Sequence, residues 1–251
     1  MITNKTMNIV ILMIIIIIII VIMITIMIMM EDISTDQNCK SQILYSYGLF
    51  SKEPMSDVML ANIKHNHEVT KLPHLVLGVS EVYDDLKQVE SELPGIIEAY
   101  EMVPRGVAKS DLARIVSLYV RGGHYADLDV VFRKIPPIRS DYVILYTETF
   151  SVKLSDRHIT RIANYGLSSP AKHPFLKAIL IETIKRINQM KNVAVWSDED
   201  VLNTTGPDVI TTIYHEVKMP KVRRIGFWRS RQILSHNCAG SWRAHKDNGK
   251  S

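Results

Sequence analysis

The sequence has little cysteine, no internal repeat and no marked excess of one charge sign. Two Cys among 251 residues exclude a small domain built on disulfides. The chain has 30 Lys and Arg against 26 Asp and Glu, and 47% of it is apolar, so it is not intrinsically disordered. Its length suits one ordinary domain and leaves little room for a second.

One long hydrophobic run stands near the N-terminus. Residues 9–30 are apolar at every position except Thr25. As a helix, such a run is about 33 Å long, enough to cross a hydrocarbon core of about 30 Å. It is longer than a signal-peptide core and meets Glu31 and Asp32 without a small-residue cleavage site. The run therefore predicts an uncleaved signal anchor, the alternative being a cleaved secretory signal.

This anchor sets the predicted organisation of the chain as a single-pass type II membrane protein whose globular domain is lumenal. In an oxidising lumen, Cys39 and Cys238 either pair or remain two buried thiols, and the sequence leaves both open. The predicted segments are a cytosolic tail at 1–8, the transmembrane anchor at 9–30, a stem with the first strand at 31–70, and the main domain at 71–251.

Strands and helices alternate over the rest of the chain, which predicts a layered α/β sheet. The clearest unit is a helix capped by Ser110, with apolar residues at i, i+3, i+4 and i+7, and ended by Gly122-Gly123. A strand is predicted to follow over 125–132. Further strands are predicted at 42–47, 72–79 and 142–146, and further helices at 81–92, 94–100, 171–190 and from Pro207 onward.

The predicted strand at 125–132 contains a pair of carboxylates. Asp127 and Asp129 stand two residues apart, a spacing that puts both on one face of a strand. Two adjacent carboxylates repel each other and favour a bound cation. Hard oxygen ligands suit Mg²⁺ or Mn²⁺, which keep coordination sites for the phosphate oxygens of a substrate. Alone, an Asp-x-Asp is common by chance, and the bland interpretation is two solvated aspartates.

The setting of the pair makes the pattern specific. A glycine pair precedes it, Tyr125 stands two residues before the first Asp, and Asp111 and Arg114 lie one turn apart on the preceding helix. This pattern, strongest over 109–136, resembles the sugar-binding region containing the DXD motif of glycosyltransferase family 32. Weaker similarity extends it, in the family's order, at 164–174, 204–207 and 236–242.

The resemblance implies a GT-A-like, Rossmann-type nucleotide-sugar-binding domain behind the single transmembrane helix. It further implies a retaining glycosyltransferase of the ER or Golgi lumen, dependent on Mn²⁺ or Mg²⁺. Such an enzyme moves a hexose from GDP-mannose or a UDP-sugar to a hydroxyl of a glycan, glycolipid or protein. Membrane lipid around the anchor is the other expected partner, and nucleic acid is not expected.

One departure from the family leaves an alternative open. Members commonly begin with a strand carrying a His-x-x-Trp-like element that helps to hold the nucleotide, whereas residues 41–48 contain neither His nor Trp. Tyr45 and Tyr47 stand there, and core packing is the interpretation favoured over stacking on a base. The alternative function is a catalytically inactive, membrane-anchored binding protein.

The resemblance also assigns site residues, each with a plainer alternative. Asp111 and Arg114 are an ordinary surface ion pair in that alternative, the glycines a helix cap, and His236 a surface or core residue. The assigned catalytic residues are Asp127 and Asp129, the metal ligands are Asp127, Asp129 and His236, and the donor-binding residues are Asp111, Arg114, Gly122, Gly123, Tyr125, Ser241 and Trp242.

Positive charge is concentrated at the C-terminal end. Residues 211–251 contain nine Lys and Arg against two Asp and Glu. Such an end is either a solvated face or a surface that meets phosphate groups.

Trp196 and Trp228 are predicted to be core anchors.

Overall fold

The computed structural model describes residues 16–18, 43–47, 55–136, 141–154 and 157–237. The chain divides into two compact units, residues 1–37 and 38–251. In the first, residues 16–18 form a turn of helix. No helix in the described part of the chain combines the length and apolar character needed to cross a membrane. The rest of the predicted anchor at 9–30, together with Cys39 and Cys238, lies outside the described residues.

The second unit alternates strands and helices, as the sequence predicts. The strands are β1 (Leu44–Tyr47), β2 (His74–Leu77), β3 (Gly123–Ala126), β4 (Val130–Phe132), β5 (Val143–Leu154), β6 (Arg157–Ser169), β7 (Val222–Ile225) and β8 (Leu234–His236). The helices are α1 (Asp57–Thr70), α2 (Val79–Val89), α3 (Ile96–Met102), α4 (Gly106–Arg121), α5 (Pro174–Gln189), α6 (Asp198–Thr204), α7 (Pro207–Glu216) and α8 (Phe227–Ile233).

Six of the described strands form a mixed central sheet in the order β2-β1-β3-β6-β5-β7. Strand β1 is parallel to β2 and β3, and β5 is parallel to β7. Strand β6 runs antiparallel to β3 and β5, which it joins. The two remaining described strands, β4 and β8, pair antiparallel in a separate ribbon. The predicted α/β class is confirmed.

Two hydrophobic clusters hold this arrangement. The larger includes the inner faces of α2, α4, α5 and α7 against the sheet, and the smaller includes residues of β4, β5, α8 and β8. Trp196 is buried in the larger cluster, as predicted. The same prediction for Trp228 is wrong, because this side chain is 70% exposed on α8.

Helix α4 ends where the glycines predict and begins earlier than predicted. Gly122 closes it with a φ of 67° and an N–H that donates to the carbonyl of Leu118. Its start is Gly106 rather than the residue after Ser110, so Ser110 lies inside the helix and caps nothing. The additional turn is stabilised by packing, because Ala108, upstream of Ser110, is fully buried in the larger cluster.

The predicted strand at 125–132 is wrong as a single element. Strand β3 ends at Ala126, residues 127–129 form a turn, and β4 belongs to the other sheet. The turn is closed by the N–H of Val130, which donates to the carbonyl of Asp127 at 3.0 Å. The two aspartates therefore do not share a strand face, and their proximity comes from the turn.

The remaining predicted elements correspond to observed ones. Pro174 occupies the first turn of α5, where its missing N–H costs nothing, and Pro207 opens α7 in the same way. The predicted segments at 42–47, 72–79, 81–92, 94–100, 142–146 and 171–190 match β1, β2, α2, α3, the start of β5, and α5.

Candidate functional site

The Asp127–Asp129 turn lies at the carboxyl end of β3, in the part of the sheet where β1, β2 and β3 are parallel. In open α/β sheets, ligands bind outside the carboxyl ends of such strands. The N–H of Asp127 donates to the carbonyl of Tyr165 at 2.9 Å, and the N–H of Asn237 donates to the carbonyl of Asp129 at 3.1 Å. The turn is thus held from both sides by backbone.

The ribbon of β4 and β8 brings a histidine to this turn. Strand β8 pairs His236 with Val130, the first residue after the aspartates. One ligand atom from each of Asp127, Asp129 and His236 lies within 4.8 Å of the other two. The His236 Nε2 atom is 3.3 Å from Oδ2 of Asp129. The three residues that the sequence proposed as metal ligands therefore lie together.

These three side chains are partly exposed to solvent. Asp127 and Asp129 are each 26% exposed and His236 is 21% exposed. The imidazole ring of His236 stacks on Tyr165, with ring centroids 4.2 Å apart. Burial lowers the pKa of His236, but hydrogen bonding to Asp129 and the charges of Asp129, Asp127 and Glu148 outweigh it, so the pKa is raised. The two carboxylates thus make the surroundings of the imidazole favourable for a positive charge.

A second, buried network meets the cluster at Asp127. Arg114 is 4% exposed, and its Nη2 lies 3.0 Å from Oδ1 of Asp111 and 3.2 Å from Oδ1 of Asp127. Its Nη1 donates to the carbonyl of Asn164 at 2.8 Å, and the guanidinium stacks over the ring of Tyr125. The alternative interpretation of Asp111 and Arg114 as a surface ion pair is wrong, because the pair is buried.

Asp111 is held within this network by neutral donors as well. Asn164 Nδ2 donates to its Oδ1 at 3.0 Å, and Thr205 Oγ1 donates to its Oδ2 at 3.3 Å. Burial raises the pKa of Asp111 to about 6, with Arg114 opposing the shift and the charge of Asp127 adding to it. The network keeps both Asp111 and Arg114 pointed at protein groups.

Helix α1 holds the far side of the aspartate turn, and the sequence did not predict this helix. The amide of Asn66 donates to the carbonyl of Val130 and accepts from the N–H of Phe132, both at 2.8 Å. One turn earlier, Asn62 Nδ2 donates to the carbonyl of Leu128 at 2.9 Å. The two side-chain amides thus form hydrogen bonds to the backbone of residues 128–132 of the kind that a neighbouring strand would form. The only signal in the sequence is their i, i+4 spacing.

The two glycines before the aspartates are required by contacts inside the protein. A Cβ on Gly122 would lie 2.7 Å from the backbone N of Ala171, and one on Gly123 would lie 2.7 Å from the carbonyl oxygen of Ile43. Both residues also have positive φ angles, 67° and 99°. These contacts explain the glycines fully, and their role in donor binding stays a prediction.

Three other predicted site residues have different outcomes. Tyr125 lies in the core and donates its hydroxyl to Oδ1 of Asp127, so it contacts the proposed metal ligand directly. Ser241 and Trp242 lie outside the described residues. Tyr45 is buried in the larger cluster, in agreement with the core-packing interpretation.

The donor set fits a divalent cation. Two carboxylates and one imidazole offer three ligand atoms around one point, and their partial exposure leaves room for further oxygens from a substrate or water. Mg²⁺ strongly prefers an all-oxygen shell, whereas first-row transition metals accept an imidazole more readily.

Comparison with known proteins finds similarity to glycosyltransferases. Residues 29–147 match the family described as the glycosyltransferase sugar-binding region containing the DXD motif. The chain is 26% identical over 156 residues to the initiation-specific alpha-1,6-mannosyltransferase of Candida albicans, covering 52% of this chain and 40% of that protein. It is also 26% identical over 168 residues to the putative glycosyltransferase HOC1 of Saccharomyces cerevisiae, covering 58% of this chain and 41% of that protein.

The fold agrees with these matches. The PaToxG glycosyltransferase structure superposes with a TM-score of 0.52 at 14% identity, covering 70% of each chain. Fold and site together define an α/β domain of the fold seen in that glycosyltransferase, with an acidic turn at the carboxyl end of β3. Residues 29–147, a little under half of the chain, are thus similar to the glycosyltransferase family that the sequence motif resembles. It spans about two fifths of the length of the curated relatives that it matches.

Proposed function

We propose that this protein is a metal-dependent glycosyltransferase that moves a hexose from a nucleotide-sugar to a hydroxyl group, with retention at the anomeric carbon. The observation that carries the proposal is the meeting of Asp127, Asp129 and His236 within 4.8 Å at the carboxyl end of the central sheet. Because this is where α/β sheets bind nucleotides, the cluster is placed to hold a cation against a diphosphate.

The donor that we propose first is GDP-mannose, with a UDP-sugar as the second candidate. The support is the name of one matched relative, an alpha-1,6-mannosyltransferase. The acceptor is a hydroxyl of a glycan, a glycolipid or a protein. We also retain the sequence-based proposal of a type II membrane protein with its domain in the ER or Golgi lumen, which rests on residues 9–30.

The residues of the chain have separable tasks in this reaction. Arg114 and Tyr125 both engage Oδ1 of Asp127, so Oδ2 would be the oxygen that this residue offers to a cation. Asp129 orients His236 through their 3.3 Å contact. A bound divalent cation supplies charge that neutralises the departing diphosphate. The protein thus contributes a preorganised acidic pocket at the place where negative charge develops.

Asp111 and Arg114 act, in our proposal, as positioning residues. The resemblance assigned them to hydrogen bonds with hydroxyls of the donor sugar, but their polar atoms face Asp127, Asn164 and Thr205. Their burial favours an effect through Asp127 over direct contact with the sugar. A neutral Asp111 would weaken the hold on Arg114, and this links the geometry of Asp127 to the buried network.

The test is turnover of the full chain with GDP-mannose and a panel of UDP-sugars, with Mn²⁺ or with a chelator. We expect product release that needs the metal, and a loss of roughly 10²–10³-fold in Asp129→Ala, in line with removal of a group that stabilises developing charge. Asp84→Ala, which removes an exposed carboxylate on α2, is the matched control. Donor binding without turnover across the panel would instead establish the inactive alternative.

A further inference from the structure

The basic C-terminal region has a defined place in the fold. From Val217 to Asn237 the sequence has no acidic residue, and its cations are Lys218, Lys221, Arg223, Arg224, Arg229 and Arg231. This stretch forms β7, α8 and β8, and α8 exposes Trp228, Arg229 and Arg231 while Ser230 and Ile233 face inward. The side of α8 that faces away from the core is thus cationic and aromatic.

A second segment joins α8 at its C-terminal end. The N–H groups of Arg133 and Lys134 both donate to the carbonyl of Ile233, at 2.7 and 3.3 Å. Both side chains are exposed, and the next residue, Ile135, is 51% exposed. We call the exposed set the basic-aromatic face; its residues are Trp228, Arg229, Arg231, Arg133, Lys134 and Ile135. From Trp228 to Ile233 the helix rises only about 7 Å, so the two segments are neighbours.

The composition of this face identifies its ligand. It combines four cations with a large aromatic ring and an aliphatic side chain that are each at least half exposed. Trp prefers the headgroup level of a bilayer, and Lys and Arg beside it attract anionic headgroups. A nucleic-acid site uses cations and stacking rings but has no use for an exposed Ile135. The acidic Asp141 is paired with Lys221, outside the face.

We propose that the basic-aromatic face docks on a membrane surface that carries anionic lipids, with Trp228 and Ile135 entering the headgroup region. The proposal depends neither on the predicted anchor nor on glycosyl transfer. It has a geometric consequence for the site, because β4 and β8 are three residues long each. Asp129 directly precedes β4 and His236 ends β8, both at the end of the ribbon away from the face. Docking would hold the acidic cluster about 10 Å from the face, close to the lipid surface.

The experiment uses tryptophan quenching by brominated lipid, with the full chain in phosphatidylcholine vesicles that contain or lack phosphatidylserine at about 30 mol%. We expect bromolipid to quench more emission when phosphatidylserine is present, and this increment to disappear in Trp228→Phe. Any quenching caused by residues 9–30 or by the other two tryptophans is common to both proteins and cancels in the comparison.

Charge reversal separates the face from general electrostatics. Arg229→Glu combined with Arg231→Glu should remove most of the phosphatidylserine-dependent quenching. Lys87→Glu combined with Lys191→Glu makes the same change in net charge on exposed residues elsewhere and should leave it intact. An increment that survives in Trp228→Phe, or one that both double variants lower equally, would overturn the proposal. So would a Trp228 emission change with a DNA oligonucleotide but not with anionic vesicles.

Discussion

Asp127 belongs to two groups of polar side chains that differ in burial and in charge. On one side, Asp111 and Arg114 are buried and Asn164 is partly buried, and their contacts are with one another, with Asp127 and with nearby protein groups. On the other side, Asp129 and His236 are about a quarter exposed and concentrate negative charge around one point. The charges of the first group are balanced largely within the protein, whereas the carboxylates of the second group favour binding of a cation.

Burial decides which property each group supports. Removing one partner of a buried ion pair leaves an uncompensated charge and costs about 3–5 kcal/mol. A partly exposed carboxylate remains hydrated when its partner is lost, so the cost in stability is small. The buried group should therefore report on folding and the open group on ligand binding, and the following predictions test that division.

The largest expected effect on stability is at Arg114. We expect Arg114→Met to lower the free energy of unfolding by about 3–5 kcal/mol, because Asp111 and Asp127 both lose their cationic partner. Asp129→Asn, in the open group, should change it by less than about 1 kcal/mol. Urea unfolding of the two variants measures both values. Equal destabilisation by the two substitutions would contradict the division.

Two histidines extend the comparison to pH. His124 is buried against Ser168, and burial lowers its pKa to about 4, from about 6.5 in an unfolded chain. Between these values only the unfolded state binds the proton, so stability rises with pH across this window and the contribution is complete above about pH 6.5. The stability lost on going down to pH 4 is about 3 kcal/mol for this group.

The variant that checks this effect is His124→Gln. Unfolding free energies measured from pH 4 to pH 7 should show a shallower slope than in the parent protein. His236→Gln, the same substitution in the open group, is the matched control and should leave that part of the slope in place. An unchanged slope in His124→Gln would show that the burial of His124 does not make stability depend on pH.

The smallest of these effects is expected for metal affinity at His236. We expect His236→Gln to weaken Mn²⁺ binding by about 10–100-fold, since one of three ligands is replaced while the two carboxylates remain. Titration calorimetry with Mn²⁺ measures this change, and saturating metal should restore activity. Affinity equal to that of the parent protein would remove His236 from the ligand set.

The sequence predicted the residues of the site better than their geometry. Asp127, Asp129 and His236 were identified from a motif, and the structure brings them together across more than 100 residues of chain. The local reason was wrong, since a turn rather than a strand face joins the aspartates. Alternation of apolar and polar residues cannot reveal this break, because Leu128 and Val130 fit a strand equally well.

The parts that could not be predicted depend on tertiary contacts between polar groups. Helix α1 turns Val58 and Leu60 to solvent and buries Asn66, so its hydrophobic pattern is weak and its function as a support for β4 is invisible in the sequence. Likewise, β5 continues through polar residues and bulges well past its predicted end at Tyr146. The residue type of Trp228 favours a core position, and its place on a basic surface is evident only from the fold.

The proposed function depends most directly on one cation held by the Asp127–Asp129 turn and His236. Electron paramagnetic resonance of free Mn²⁺, titrated with the full chain, measures how many ions bind. We predict one tight Mn²⁺ per chain, lost when Asp127→Asn and Asp129→Asn are combined and retained in Asp84→Asn. Equal binding by the parent protein and the combined variant would contradict the account.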